Sequence, residues 1–183
     1  MKNTIKLFIL IFSIMYPYSS SYAAFTLIST QSGSTVSNLS WTGLSNGGFM
    51  LTCSQLVTTS AATQNVQIVI GTGATPTWQS SGYNYAFTTL SWSGTSSSIN
   101  STSASYIPLV PNASSNHSTI YGMTIFIQNF TNGGMNVQSF GNNSSLAYAI
   151  VGSSAYSGTF TAIRVQPLSG TISGSCSLYS IQQ

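Results

Sequence analysis

Nine short runs in which apolar and polar residues alternate decide what this chain can fold into: Phe49–Val57, Val66–Ile70, Tyr83–Leu90, Tyr106–Val110, Ile120–Ile127, Met135–Phe140, Leu146–Val151, Phe160–Gln166 and Ser175–Ile181. In an extended chain successive side chains point to opposite faces, so each run builds one apolar and one polar face. The runs are rich in β-branched and aromatic residues, and clusters of Gly, Asn, Ser or Pro, which turn a chain, bound them. No stretch past residue 24 carries a helical period. Short strands at even spacing predict an all-β fold, a single antiparallel β-sandwich of jelly-roll type over residues 24–183, with a barrel as the lesser alternative. That length suffices to bury one core. The Ser/Thr/Gly/Asn-rich stretch Ser93–Ser105 reads as a long exposed loop, as does Pro111–Ser118.

The polar half of the pattern is made of hydroxyls and amides instead of ions. Among 183 residues there is no Asp, no Glu, and a total of three Lys and Arg. The missing carboxylates remove a general acid or base of that type, a glycosidase acid pair, a Ser-His-Asp triad and a Mg²⁺ or Ca²⁺ cage. Two cysteines and one histidine cannot close a tetrahedral zinc site. No catalytic residue, metal or cofactor is therefore expected, and the chain reads as a non-enzyme.

The head of the chain has the form of an export signal. Lys2 and Lys6 precede the apolar run Leu7–Met15, Pro17 breaks it, and Ser21-Tyr22-Ala23 is a small-x-small cleavage site. Residues 1–23 are expected to be removed, leaving Ala24 first, with no lipid anchor and no membrane insertion, because later apolar runs are too short. The expected location is outside the cell, at its surface or in the periplasm. Past residue 23 the only charged side chain is Arg164, so neither nucleic acid nor an anionic membrane has a basic patch to meet. With no carboxylates to protonate, stability is expected to stay nearly flat through the acid range.

Cys53 and Cys176 lie in the first and last strong runs, and in an exported protein a lone pair is expected to be bridged. His117 has no carboxylate to orient it and reads as a solvated loop residue. On its strand Arg164 points opposite Ile163 and Val165, toward the outer face of a sheet, where carbonyls, water or an external anion must satisfy it. Trp41, Trp78 and Trp92 suit either core packing or a sugar-stacking platform. Trp78, beside the turn at Gly73–Pro76, is the preferred exposed candidate, with Tyr83, Tyr85 and Arg164 as further candidate ligand-binding residues. Seven Asn-x-Ser/Thr sites, at Asn38, Asn100, Asn112, Asn116, Asn129, Asn142 and Asn143, carry little information in so Ser- and Thr-rich a chain. These features describe a secreted surface or adhesive protein that binds neutral carbohydrate or packs with copies of itself, since nothing repels a second copy.

The last two dozen residues add a resemblance. Ala162-Ile163-Arg164-Val165, Ser169-Gly170, Gly174 and Leu178-Tyr179-Ser180-Ile181 resemble the ending of tailed-phage virion β-sandwich proteins, with Ser180 where those usually have Gly. Upstream, Val66–Ile70, Gly82–Tyr85 and Ile125–Phe130 follow a similar order. The resemblance implies a sandwich that builds or decorates a virion tail or capsid, the alternative to the adhesive reading. An export signal and the lack of Asp depart from that family.

Overall fold

A computed structural model describes residues 24–45, 47–58, 66–91, 93–109, 119–129, 135–143, 146–154 and 159–182. The strands are β1 (Ala24–Val36), β2 (Leu39–Thr42), β3 (Gly48–Thr58), β4 (Val66–Thr72), β5 (Thr77–Trp78), β6 (Tyr83–Ser91) and β7 (Ser96–Ala104). They continue as β8 (Ile107–Pro108), β9 (Thr119–Asn129), β10 (Met135–Asn143), β11 (Leu146–Ser154), β12 (Ala162–Pro167) and β13 (Ile172–Gln182). Among the described residues no helix is long and apolar enough to cross a membrane.

Two antiparallel sheets face each other. The large one has eight strands in the order β1-β13-β3-β9-β10-β11-β6-β7, and the small one has five, β2-β12-β4-β5 with β8 also on β4. The expected two-layer sandwich is thus present. Its division is uneven, however, and β9-β10-β11 is a plain meander within one sheet, so the jelly-roll label is finer than the observed topology supports.

Alternation does the work expected of it in the large sheet. Along β3, Phe49, Leu51 and Cys53 are buried while Met50, Thr52 and Ser54 point outward, and the register carries this phase across to β13 and β9. The inward residues, Leu51, Ile125, Ile127, Ile150 and Leu178 among them, meet Ile68, Ile163 and Val165 of the small sheet in one core. At roughly 25 cal/mol per Å² of apolar surface, such burial is the dominant favourable term. Strand β4 departs from alternation, with every residue from Val66 to Gly71 buried on both faces. Trp41 also belongs to the core, 3% exposed.

Cys53 and Cys176 are bridged, as expected, and stand directly opposite each other on β3 and β13. Their separation of 123 residues corresponds to about 5 kcal/mol of chain-entropy stabilisation as an upper figure.

Four strands, β1, β2, β5 and β7, were not legible in the pattern. Ser93–Ser105 contains β7, which pairs with β6 from Leu90↔Ser96 to Tyr85↔Ser101 and is a strand, not the expected loop. Main-chain bonds hold it, and its side chains are almost all exposed, so no apolar alternation marks it. β1 is similarly exposed along most of its length, and β2 has only four residues. The expected strand Tyr106–Val110 shortens to the two residues of β8. The expected loop Pro111–Ser118 with His117, and Trp92, lie outside the described residues.

Candidate functional site

Each sheet has an outer face, and the candidate residues divide between them. On the small sheet Arg164 points outward from β12 between the buried Ile163 and Val165, as alternation requires. Trp78 of β5 pairs with Gly71 and lies over it. A Cβ at Gly71 would meet the indole and Pro76 at 3.0 Å, tight enough that the indole would have to shift, so glycine lets Trp78 pack this closely. The Arg164 guanidinium carbon sits 4.3 Å from the centre of the same ring, a cation–π contact. Trp78 is therefore half-buried, gripped between Gly71 and Arg164 rather than presented as an open stacking platform. Arg164 Nε is buried and has no hydrogen-bond partner. Burial lowers the Arg164 pKa, an effect that nearby Tyr83 partly offsets.

Tyr83 joins this group from below and is fully buried, so it cannot touch a ligand as expected. Its hydroxyl accepts the Ile70 N–H at 2.9 Å. At that point the edge of β4 lies between its pairings with β8 and β5, and the phenol replaces a missing strand there. Burial raises its pKa to about 12 despite the Ile70 hydrogen bond and the Arg164 charge, which lower it. The structure thus brings Trp78, Tyr83 and Arg164 together as a structural clasp. Tyr85 lies away from the clasp, in the inward phase of β6 and half-buried, stacked on Phe87 with ring centres 6.2 Å apart, and it lines a depression on the large sheet.

The outer face of the large sheet is different in kind. Ladder register sets its outward residues in rows that cross the strands. One row runs Ile181, Gly48, Gln128, Asn136, Ser153 and Asn84, and the next runs Tyr179, Met50, Phe126, Gln138, Val151 and Ala86. Between them lie two depressions, of about 510 Å³ near Gly48, Phe126 and Ile181 and about 630 Å³ near Asn84, Ala86 and Asn100. Asn136 and Gln138 border both, so the depressions meet and form one groove from β13 to β7. With strands about 4.8 Å apart, those seven strands span about 29 Å. Gly48 and Ala86 keep its floor low, while Phe126 and Val151 are 37% and 53% exposed within the apolar row.

Chemically this groove is an uncharged track with amides along one side and apolar surface along the other. Each Asn or Gln side chain both donates and accepts, which matches a hydroxyl group that does both. Among the described residues the large-sheet face holds no carboxylate, histidine or lysine side chain, and no cluster of His and Cys could hold a metal. Aromatic side chains drew attention in the sequence, but the residues that shape this groove are Asn84, Asn100, Gln128, Asn136 and Gln138. Their signal was present, since period two in β10 puts Asn136 and Gln138 on the face opposite Met135 and Val137. Compared with known protein families and with curated proteins, the chain matches none.

Proposed function

We propose that this protein is a non-enzymatic contact protein of the cell exterior that binds a neutral carbohydrate chain across the outer face of its large sheet. The observation that carries the reading is the continuous, charge-free groove in which Asn136 and Gln138 form the shared border of two depressions. Neutral glycans offer hydroxyls to amides and apolar ring faces to side chains such as Phe126 and Val151. Ions would add nothing to such a contact, and the face carries none. An exterior location fits the Cys53–Cys176 bridge, because disulfides persist in oxidising compartments.

The test is binding to an array of neutral and acidic polysaccharides, repeated at low and high salt. Binding to a neutral chain with little dependence on salt is expected, since no charge pair is made. The double substitution Asn136→Ala/Gln138→Ala should weaken it at least about tenfold, the effect of losing one to two hydrogen bonds of ordinary net strength. Exclusive binding to acidic chains, or unchanged affinity in the double variant, would contradict the reading.

A further inference from the structure

The large sheet ends in β1 and β7, two edges with which no other described strand pairs. Proteins ordinarily guard an edge strand with lysine, proline, an inward charge or a covering element, because its free N–H and C=O groups template another strand. β1, thirteen residues long, and β7, nine residues long, contain no charged residue and no proline. Most of their side chains are exposed, with Phe25 51%, Leu27 53% and Ile99 46% open to solvent. Bulges break the register of β1 between Leu27 and Ser29 and between Gly33 and Val36, and that of β7 beyond Ser101. They leave Ser29–Gly33 and Ser96–Ser101 in unbroken ladders. Ser180 Oγ donates to Thr26 O at 3.4 Å and Trp41 Nε1 to Ser29 O at 3.3 Å, so side chains engage these two carbonyls of β1.

Strand parity then selects the partner. All seven ladders of the sheet are antiparallel and join eight strands, so β1 and β7 run in opposite directions. A second copy set beside the first in the same orientation places its β1 antiparallel to the first copy's β7, and the alternation continues. An odd number of strands would have made that junction parallel. The register agrees, because the cross-strand row that begins at Thr30 ends at Ser98, and the row that begins at Ser32 ends at Ser96. An unshifted neighbour therefore sets Thr30 against Ser98 and Ser32 against Ser96, within the two unbroken stretches. No charge on either strand opposes the approach.

We infer that copies of this chain join head to tail, β1 of one adding to β7 of the next, to extend the large sheet into an open-ended filament. Such a heterologous contact leaves a free β1 at one end and a free β7 at the other, so growth does not close. The inference stands on the edges alone and does not rest on carbohydrate binding.

Sedimentation velocity of the protein, expressed from its full-length gene and purified after export, tests it. The average mass of the unaltered protein should rise with concentration without reaching a plateau. Thr30→Lys/Ser98→Lys puts like charges together at the junction and should leave a monomer at all concentrations, whereas Thr30→Glu/Ser98→Lys should restore growth in a salt-sensitive form. A monomer or a dimer plateau in the unaltered protein would overturn the inference, as would a polymer that survives in the double-lysine variant. Both sites are exposed, and an unchanged thermal midpoint reports that the fold is kept. If the midpoint falls, Ser32→Lys/Ser96→Lys, the next facing pair, makes the same comparison.

Discussion

The two outer faces of this sandwich solve opposite problems. On the small sheet, Trp78 closes over Gly71 and Arg164 closes over Trp78, so the only charged side chain past residue 23 packs against the sheet's own outer face. On the large sheet the outward rows carry amides, hydroxyls and partly exposed apolar groups, and no described segment folds back to cover them along the groove. One face is closed by its own side chains, and the other presents an open groove. The difference teaches that a protein with no carboxylates need not have a uniform surface. Where ions are absent, the distribution of amides, aromatics and glycines alone separates a face closed by its own side chains from the face we propose binds.

The largest expected effect separates the faces by pH. Tyr83 has its pKa raised from 10.0 to about 12, so the fold favours the neutral phenol. Stability from this group is complete below pH 10 and is lost as pH rises toward 12, a loss of about 3 kcal/mol at 1.4 kcal/mol per unit. Burial raises Tyr148 as well, which adds to the same alkaline loss. Acid should do little by comparison, because no carboxylate is present to protonate. Thermal midpoints from acid to alkaline pH check this, and Tyr83→Phe should flatten the alkaline fall while itself costing about 1 to 2 kcal/mol, since Ile70 N–H loses its acceptor.

A smaller effect sets one face directly against the other. Trp78→Ala should lower stability by about 2 kcal/mol through lost apolar burial, with affinity for the neutral glycan unchanged. Denaturant unfolding together with binding isotherms would show it. An equal loss of affinity would mean that the clasp, not the groove, meets the ligand. The smallest effect on stability belongs to Gly48→Val. A Cβ there meets Ile181 at an ordinary 3.4 Å, so the midpoint should correspond to a change within about 0.5 kcal/mol. Its isopropyl group fills one end of the groove, and glycan affinity should fall severalfold.

How much of this could be read from residues alone depends on burial. β3, β9, β10, β11 and β13 were legible because each buries one face against the core and exposes the other. β4 was legible as a short apolar run, although it is covered on both faces. β1 and β7 were not, because a strand held mainly by main-chain bonds leaves no mark in side-chain chemistry. Ser96–Ala104 has the composition of a loop and the ladder of a strand. The disulfide followed from two cysteines in the first and last strong runs. Alternation also placed Arg164 on an outer face, but its contact with Trp78 depends on a tertiary approach at Gly71 that no local pattern reports. Of the aromatic candidates, Tyr83 is buried and Trp78 is held under Arg164, while Tyr85 is half-buried and lines the second depression of the groove. The groove arises from registers between distant strands, which set Gln128 beside Asn136 and Gln138 beside Val151.

The central claim is that the outer face of the large sheet is the contact face. Titration of the ¹⁵N-labelled protein with a neutral oligosaccharide selected on the array tests it most directly. The side-chain amide signals of Asn84, Asn100, Gln128, Asn136 and Gln138 are expected to shift together and saturate at one affinity, with the Trp78 indole and Arg164 Nε signals unmoved. Shifts confined to Trp78 and Arg164, with the five amides silent, would contradict it.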